Sequence, residues 1–543
     1  MNARPSRNAA APTTDDSARS VFLTAALCLS VMIAGACVML LELMGTRVLA
    51  PVFGSSLYVW TSQISVALLA LTIGYPLGGA IADRHPRAAV FFGINALAGL
   101  AILFMMFIRG SVLHAASDWG PRVGTLGSSL ILFTVPLVLL GMVGPFAARL
   151  FVHEVGRVGF TVGKLSGLSA FGSIVGSIAT GFVLIPRFAI NDTFFAAAAL
   201  MVLVGVVGLL VTRALNGAAG TMVAAAGLTL IVLSTDARAE LDDVLESRGI
   251  EVLYEGSSGY GDIKVVQTQT VRLMYIGQMV QTVDSPLAVD DLQRHVVTLH
   301  DITHFLRALR PEMKDVLLIG LAGGNKVKLL NRYDIAVDAV EIDGLVVQKA
   351  REFFGIEEND LTRIIIEDGR PYMNRCKKKY DAVIMDVFSG GVAPSHLFSL
   401  EALQSMKRCL KPDGVLMMNC LWSPNEPDDF LLKNVTRTIE SSGLFNHRRL
   451  FAWRPSDSSR IGNFFTFASE APLEFVRPLA SIIPAKLAED LASAAVETEI
   501  SLEGAAVITD DRNPLDVLQI RHSEKLRRIA LDSPAAVLFD PRR

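Results

Sequence analysis

Apolar residues run almost unbroken through the first 235 positions of the chain and then give way to short alternating segments. A bilayer span needs about 20 mostly apolar residues. Seven stretches satisfy this: 21–46, 57–82, 88–108, 126–150, 160–186, 190–212 and 216–234. The first is too long, and too soon followed by others, to be a cleaved signal peptide. Residues 1–19 and about the last ten are expected to be disordered. From about residue 250 the pattern is that of short strands broken by Gly and Ser, as in Glu251–Gln267 and Val271–Gln281, which predicts a small β-hairpin module. A helical stretch, 289–309, follows it.

Beyond 312, strands and helices alternate. Asp315–Gly320 reads as a buried strand that ends in the glycine turn Gly320-Leu-Ala-Gly323-Gly324-Asn325, followed by a short helix from Lys326 to about Arg332. Ala336–Asp343 is a second strand and Gly344–Phe353 a helix. Ile364–Asp368, Tyr380–Asp386 and Gly414–Asn419 are further strands, with a helix at Leu400–Cys409 before the last. This alternation predicts an open, mainly parallel Rossmann-like sheet with helices on both faces. The expected organisation is therefore a disordered 1–19, a multi-span membrane region at 20–235, a small β module and helix at 250–312, and a Rossmann-like α/β domain at 313–530.

Charge sharpens this division. Residues 20–235 carry 15 Asp, Glu, Lys and Arg among 216 positions, whereas the last 308 positions carry 83. The first density suits a bilayer and the second an ordinary soluble domain. A net charge of −3 leaves no nucleic-acid footprint. Five scattered cysteines without CxxC spacing indicate neither zinc nor a disulfide scaffold. Among the spans, Gly172 and Gly176 share one helical face and permit close helix packing. Glu42, five residues before Arg47, is a costly intramembrane carboxylate, either a polar site within the bundle or an interfacial ion pair. Gly74–Arg84 resembles the loop between the second and third helices of major-facilitator transporters. With seven spans, one side of the membrane collects nine Arg and Lys and the other four, which would place the nine in the cytoplasm and the soluble domain outside.

Ligands of such sheets sit beyond the carboxyl ends of the strands, and acids stand at those ends. Glu341 and Asp343 close the second strand about 20 residues after the glycine turn, where a carboxylate can accept from ribose hydroxyls. Asp368-Gly369 closes the third strand and Asp386 the fourth. Four weaker features read first as structure. His295, His300 and His304 lie on one helix, where His300 and His304 share a face that could hold a metal but lacks an evident third ligand. Lys377–Lys379 reads as a solvated turn. Asp457, Ser458 and Arg460 form a polar loop before a strand at Phe464–Phe467, and Asp510-Asp511-Arg512 a structural turn or a source of further anions.

Gly320-Leu-Ala-Gly-Gly, Val340-Glu-Ile-Asp, Glu367-Asp-Gly, Tyr380-Asp-Ala-Val-Ile-Met-Asp and Ala393-Pro-Ser-His-Leu-Phe together resemble the spermidine synthase family, polyamine aminopropyltransferases with a methyltransferase-like Rossmann fold. The resemblance spans roughly 250–520. With the membrane region, and with Thr509–Pro514, the chain resembles a bacterial subgroup in which this domain follows several spans. It implies decarboxylated S-adenosylmethionine, or S-adenosylmethionine, as a donor substrate rather than a prosthetic group. Gly320, Gly323, Gly324, Glu341, Asp343, Asp368 and Gly369 would hold the nucleoside, with Glu341 on the ribose and Asp368 on the adenine amino group. Gln281 would lie near the substrates, and Asp386 would assist deprotonation of the attacking amine.

The departures fall on one side of that site. The second acid of the family's Asp-x-x-Asp motif is Ser389 here, the acid of the glycine loop is missing, and the tyrosine before the first helix has no clear counterpart around Gln293–His295. A diamine carries two charges whose burial without carboxylates is costly, so a less cationic amine, a lipid amine or a substrate delivered by the bundle comes into view. The expected function is a membrane-anchored aminopropyltransferase acting on a putrescine-like amine. The alternatives are another S-adenosylmethionine-dependent transferase, such as a methyltransferase, or a transporter or sensor whose soluble domain binds without turnover. The bilayer and a small amine are the expected partners, with a homodimer open. A multi-pass protein of the bacterial inner membrane is expected, and a cytosolic nucleoside favours a cytoplasmic soluble domain over the charge rule.

Overall fold

The computed structural model describes residues 14–53, 57–116, 119–151, 158–188, 190–212, 245, 247–277, 279–285, 302–388, 393–422, 430–453, 462–515 and 519. The chain divides into two compact units, residues 1–49 with 58–239 and residues 50–57 with 240–543.

Six described helices of the first unit are long and apolar enough to cross a membrane. They are α1 (Thr14–Phe53), α2 (Leu57–Arg84), α3 (Ala88–Ala116), α4 (Gly120–Phe151), α5 (Val158–Ala179), which continues through a π-helical turn at Thr180–Leu184, and α6 (Ile190–Val211). The seventh expected stretch, 216–234, lies outside the described residues. Helix α1 starts at Thr14, inside the segment expected to lack structure. The Gly74–Arg84 segment is helical throughout rather than a loop, and Arg149 of α4 binds Asp83 at its end, at 2.8 Å.

Small residues set the packing of this unit. A side chain at Gly172 or Gly176 of α5 would collide with the α1 backbone at Met32 or Ala36, and one at Gly74 or Gly78 of α2 with the α4 backbone at Val138 or Met142. Backbones meet at these crossings, as lipid-embedded helices do when small residues face each other. Gln63 is fully buried and donates through Nε2 to the Leu41 carbonyl at 3.2 Å, beside Gly45. Glu42, which follows Leu41 in α1, is half-buried.

The second unit holds two sheets. Strands β1 (Glu251–Ser257), β2 (Asp262–Gln267), β3 (Arg272–Ile276) and β4 (Met279–Asp284) form an antiparallel meander, the expected β module. The larger sheet comprises β5 (Asp315–Ile319), β6 (Ala336–Glu341), β7 (Thr362–Ile366), β8 (Tyr380–Met385), β9 (Leu410–Trp422), β10 (His447–Trp453), β11 (Gly462–Ser469) and β12 (Ala495–Glu497). Its order is β12-β10-β11-β9-β8-β5-β6-β7. The five strands from β7 to β9 are parallel, and β11, β10 and β12 add an antiparallel edge.

Helices cover both faces, as the alternation predicts. They are α7 (Thr303–Leu309), α8 (Asn325–Asn331), α9 (Gly344–Phe354), α10 (Gly369–Asn374), α11 (Leu400–Cys409), α12 (Phe430–Ser441) and α13 (Ala485–Ala494). Val316 and Leu318 of β5 join a core with Leu306, Val327, Val347 and Leu491, while Leu317 and Ile319 join a second core with Met373, Leu403 and Val435. A strand buried on both faces must be apolar at every position, and each such side chain contributes about 2 kcal/mol on burial. The strand expected at Ile364–Asp368 sits two residues earlier, at Thr362–Ile366, because Asp368 leaves the ladder to cap α10. The helix expected at 289–309 is described only from Thr303.

Candidate active site

The parallel strands leave β5 in both directions, towards β6 and β7 on one side and β8 and β9 on the other. A crevice opens where the order reverses. Gly320, immediately after β5, donates its N–H to Val340 O of β6 at 2.8 Å, and Asp386 N–H, immediately after β8, donates to Ile319 O at 3.0 Å. Gly320 has φ +94°, and a Cβ there would strike the Asp386 carbonyl. Glycine is therefore required for these strand ends to converge.

The glycine turn is fastened from two sides. Glu341 Oε2 accepts from Leu321 N at 2.9 Å and Ala322 N at 3.4 Å, and Oε1 accepts from Asp343 N at 3.1 Å. From β4, Thr282 Oγ1 accepts from Gly323 N at 2.7 Å, and the Val283 carbonyl accepts from Asn325 Nδ2 at 2.8 Å. A side chain at Gly323 would strike Thr282, and one at Gly324, where φ is +80°, would strike Ile356. Burial raises the Glu341 proton affinity, and the three amide donors only partly offset it.

The other acids have distinct surroundings. Asp343 is buried: Oδ1 caps α9 by accepting from Leu345 N at 2.9 Å, and Oδ2 accepts from the Ser258 hydroxyl. Asp368 Oδ1 caps α10 by accepting from Arg370 N at 2.8 Å, with His396 Nε2 3.4 Å from Oδ2. Gly369 is buried, and a Cβ there would lie 2.6 Å from Ile319 Cγ2, which brings α10 against the end of β5. Asp386 Oδ2 meets Lys326 Nζ at 2.9 Å, and Oδ1 accepts from Asn419 Nδ2 at 2.8 Å. Burial alone would raise the Asp386 pKa, but the Lys326 ammonium and the Asn419 amide hold it below the usual carboxylate range.

Glu341, Asp386 and the glycine turn thus converge at one sheet end, with Asp368-Gly369 at the head of the neighbouring α10. Gln281 is half-buried on β4, next to the Thr282 that binds the turn. Ser389 lies outside the described residues. Sequence reasoning missed Lys326, Asn419, Thr282 and Ser258. The signal for Asn419 was a lone polar residue within Leu416-Met-Met-Asn-Cys-Leu421.

The weaker candidates resolve mostly as structure. Asp510 accepts from Ser399 Oγ and pairs with Arg370 at 2.9 Å, so that segment is a structural turn. Lys378 is not merely solvated: it binds Asp315 at 3.0 Å and Asp338 at 3.3 Å. His304 is buried, with Nδ1 3.5 Å from the Tyr333 hydroxyl. His295, His300, Asp457, Ser458 and Arg460 lie outside the described residues. Among the described residues, no group of three His, Cys, Asp or Glu is placed to hold a metal ion.

A parallel sheet with a glycine turn after its first strand, an acid after its second and an antiparallel far edge is the architecture of the methyltransferase-like class of α/β domains. Within that class, the model of the spermine/spermidine synthase domain family matches residues 296–456. The polyamine aminopropyltransferase of Vibrio vulnificus is 27% identical over 300 residues, covering 49% of this chain and 91% of that protein. The polyamine aminopropyltransferase of Clostridium perfringens (strain SM101) is 32% identical over 174 residues, covering 31% of this chain and 59% of that protein. A probable spermidine synthase of Corynebacterium glutamicum, known from its crystal structure, aligns at 19% identity over 48% of this chain and 95% of that one, with a TM-score of 0.38. Residues 296–456 thus carry a spermine/spermidine synthase domain, and the enzymes this part of the chain is similar to are polyamine aminopropyltransferases.

Proposed function

We propose that the soluble unit transfers the 3-aminopropyl group of decarboxylated S-adenosylmethionine to an amine. The observation that carries this is the meeting of the Glu341-braced glycine turn with Asp386 at the switch point between β5 and β8. On this reading Glu341 holds the ribose, Asp368 the adenine amino group and Gly369 the close approach of the base, with Gly320, Gly323 and Gly324 beneath the nucleoside and Asp343 fixing the end of β6 by capping α9. Gln281 and Ser389 lie towards the acceptor.

The reaction needs a neutral amine, because an alkyl ammonium, with a pKa of about 10.4, has no lone pair to attack with. Asp386 takes that proton and orients the nitrogen. The amine lone pair forms a C–N bond to the methylene next to sulfur, the C–S bond breaks, and its electron pair returns to sulfur. The sulfonium leaves as the neutral thioether 5′-methylthioadenosine, so no acid is needed and alignment dominates.

The test is turnover by the full-length protein in detergent, given decarboxylated S-adenosylmethionine and an amine panel. Methylthioadenosine release with an amine heavier by one aminopropyl group is the expected result. S-Adenosylhomocysteine formed from S-adenosylmethionine would replace the proposal with methyl transfer, and nucleoside binding without any product would replace it with a sensor.

We further propose that the enzyme is anchored in a bacterial inner membrane with the soluble unit in the cytoplasm, where the nucleoside is made. Six crossings would put the N-terminus and the soluble unit on one face, and the more basic face would then be the cytoplasmic one. Reporter fusions at residue 543 check this: a periplasmic signal overturns it.

A further inference from the structure

The amine side of the crevice already contains a cation. Lys326, second residue of α8, places its ammonium 2.9 Å from Asp386 Oδ2, and Asn419 occupies Oδ1. The side chains of Lys326 and Asp386 keep 20% and 22% of their surface exposed, so the pair is open to solvent at its edge rather than sealed in the core. The neighbouring acids have their own partners: Glu341 holds the turn amides, Asp284 binds Lys328 at 3.2 Å, and Asp343 and Asp368 cap helices. Among the described residues, a diammonium entering here would meet one carboxylate that is already neutralised and a lysine of its own sign. An amine that also carries an acidic group meets the opposite situation. Its ammonium can take Asp386 and its anion can take Lys326, so one ion pair becomes two without leaving a charge unpaired.

We propose that Lys326 is a specificity-determining residue that sets the charge of the acceptor: the site takes a zwitterionic amine, with the amino group on Asp386 and the acidic group on Lys326, and discriminates against diamines. This rests on the aminopropyl-transfer reading and narrows its acceptor class. The step is otherwise unchanged. The amino nitrogen loses its proton to Asp386 and forms the C–N bond as the C–S pair returns to sulfur.

The test compares putrescine with 4-aminobutyrate, two four-carbon amines that differ in the charge at the far end. Calorimetric titration of the full-length protein in detergent, with and without 5′-methylthioadenosine, reads their affinities in wild type, Lys326→Gln and Lys326→Arg. The expected result is at least tenfold tighter binding of 4-aminobutyrate by wild type, a preference kept by Lys326→Arg and lost or reversed by Lys326→Gln. Unchanged methylthioadenosine affinity in all three proteins shows that the fold is intact. Failure of 4-aminobutyrate to bind, putrescine binding as tightly in wild type, or a preference that Lys326→Gln leaves within twofold overturns the proposal. Turnover is scored separately. Without methylthioadenosine release from any amine the transfer reading fails, while the charge preference is still decided by the titrations.

Discussion

Glu341 and Asp386 are both carboxylates at the ends of parallel strands, β6 and β8, on either side of β5, yet they bind protons in opposite senses. Glu341 is half-buried among backbone amides, which offer partial charges only, and its proton affinity rises. Asp386 is half-buried too but faces a full positive charge, and its proton affinity falls. The difference shows that strand-end position confers location and the partner confers chemistry. One side of the crevice is rigid and built from backbone; the other is a side-chain ion pair that a ligand can exchange.

Four measurements would break or sharpen this contrast. The largest effect is expected from Gly320→Ala, which forces a methyl group at φ +94° against the Asp386 carbonyl and should cost roughly 3 kcal/mol in denaturant unfolding. Unchanged stability would mean that the two strand ends can part freely. Next, Asp386→Asn should lower aminopropyl transfer at least 100-fold, about 2.7 kcal/mol in barrier, while methylthioadenosine affinity stays within about twofold. Equal losses in both would show that Asp386 belongs to the nucleoside side. Third, Glu341→Gln should weaken nucleoside binding about tenfold, roughly 1.4 kcal/mol; full affinity in this variant would remove the nucleoside from the glycine turn.

The smallest effect is on the pH dependence of stability. Glu341 holds its proton more tightly in the folded protein than in the unfolded chain. Its contribution is complete below the ordinary value of 4.5 and fades as pH rises through the raised native one. Asp386 contributes above its ordinary 3.8, and that contribution is lost as pH falls through the lowered native value. The stability gap between wild type and Glu341→Gln should therefore narrow with rising pH, and the gap to Asp386→Asn should widen. Thermal unfolding from pH 3 to pH 7 reads both slopes, and slopes of the same sign would end the contrast.

The rigid side was largely legible in the sequence. Val316–Ile319 and Ala382–Met385 are apolar runs, and Val337–Val340 is apolar but for Asp338, so these strands must be buried on both faces and the glycines and acids that stop them mark the sheet's working edge. The exchangeable side was not. Lys326 lies 60 positions before Asp386, and on a short amphipathic helix it reads as a solvent-facing residue until the topology brings β8 next to β5. Thr282 and Ser258 carry no pattern either, since a hydroxyl in a hairpin satisfies local turns as readily as a distant amide. Asp368 was assigned to a strand because Ile364–Ile366 continues smoothly into it; a following Gly-Arg-Pro that can open a helix is the competing signal. The antiparallel edge was seen only in part, through Phe464–Phe467, because hairpin strands are short and their partners are not fixed by local sequence. In the membrane unit the glycine spacing marked the packing face of α5 but not its partner α1, and the buried Gln63 passed unnoticed among apolar neighbours.

The small antiparallel sheet leaves the ribosome before the residues that anchor it. Thr282 must wait 41 residues for Gly323, and Ser258 must wait 85 for Asp343. At elongation rates of about 5–20 residues per second the longer delay is roughly 4–17 s. For that interval the meander is a nascent sheet whose Ser258 and Thr282 hydroxyls are served only by nearby turns and water, so the chain's own translation schedule sets the window in which a chaperone has something to hold.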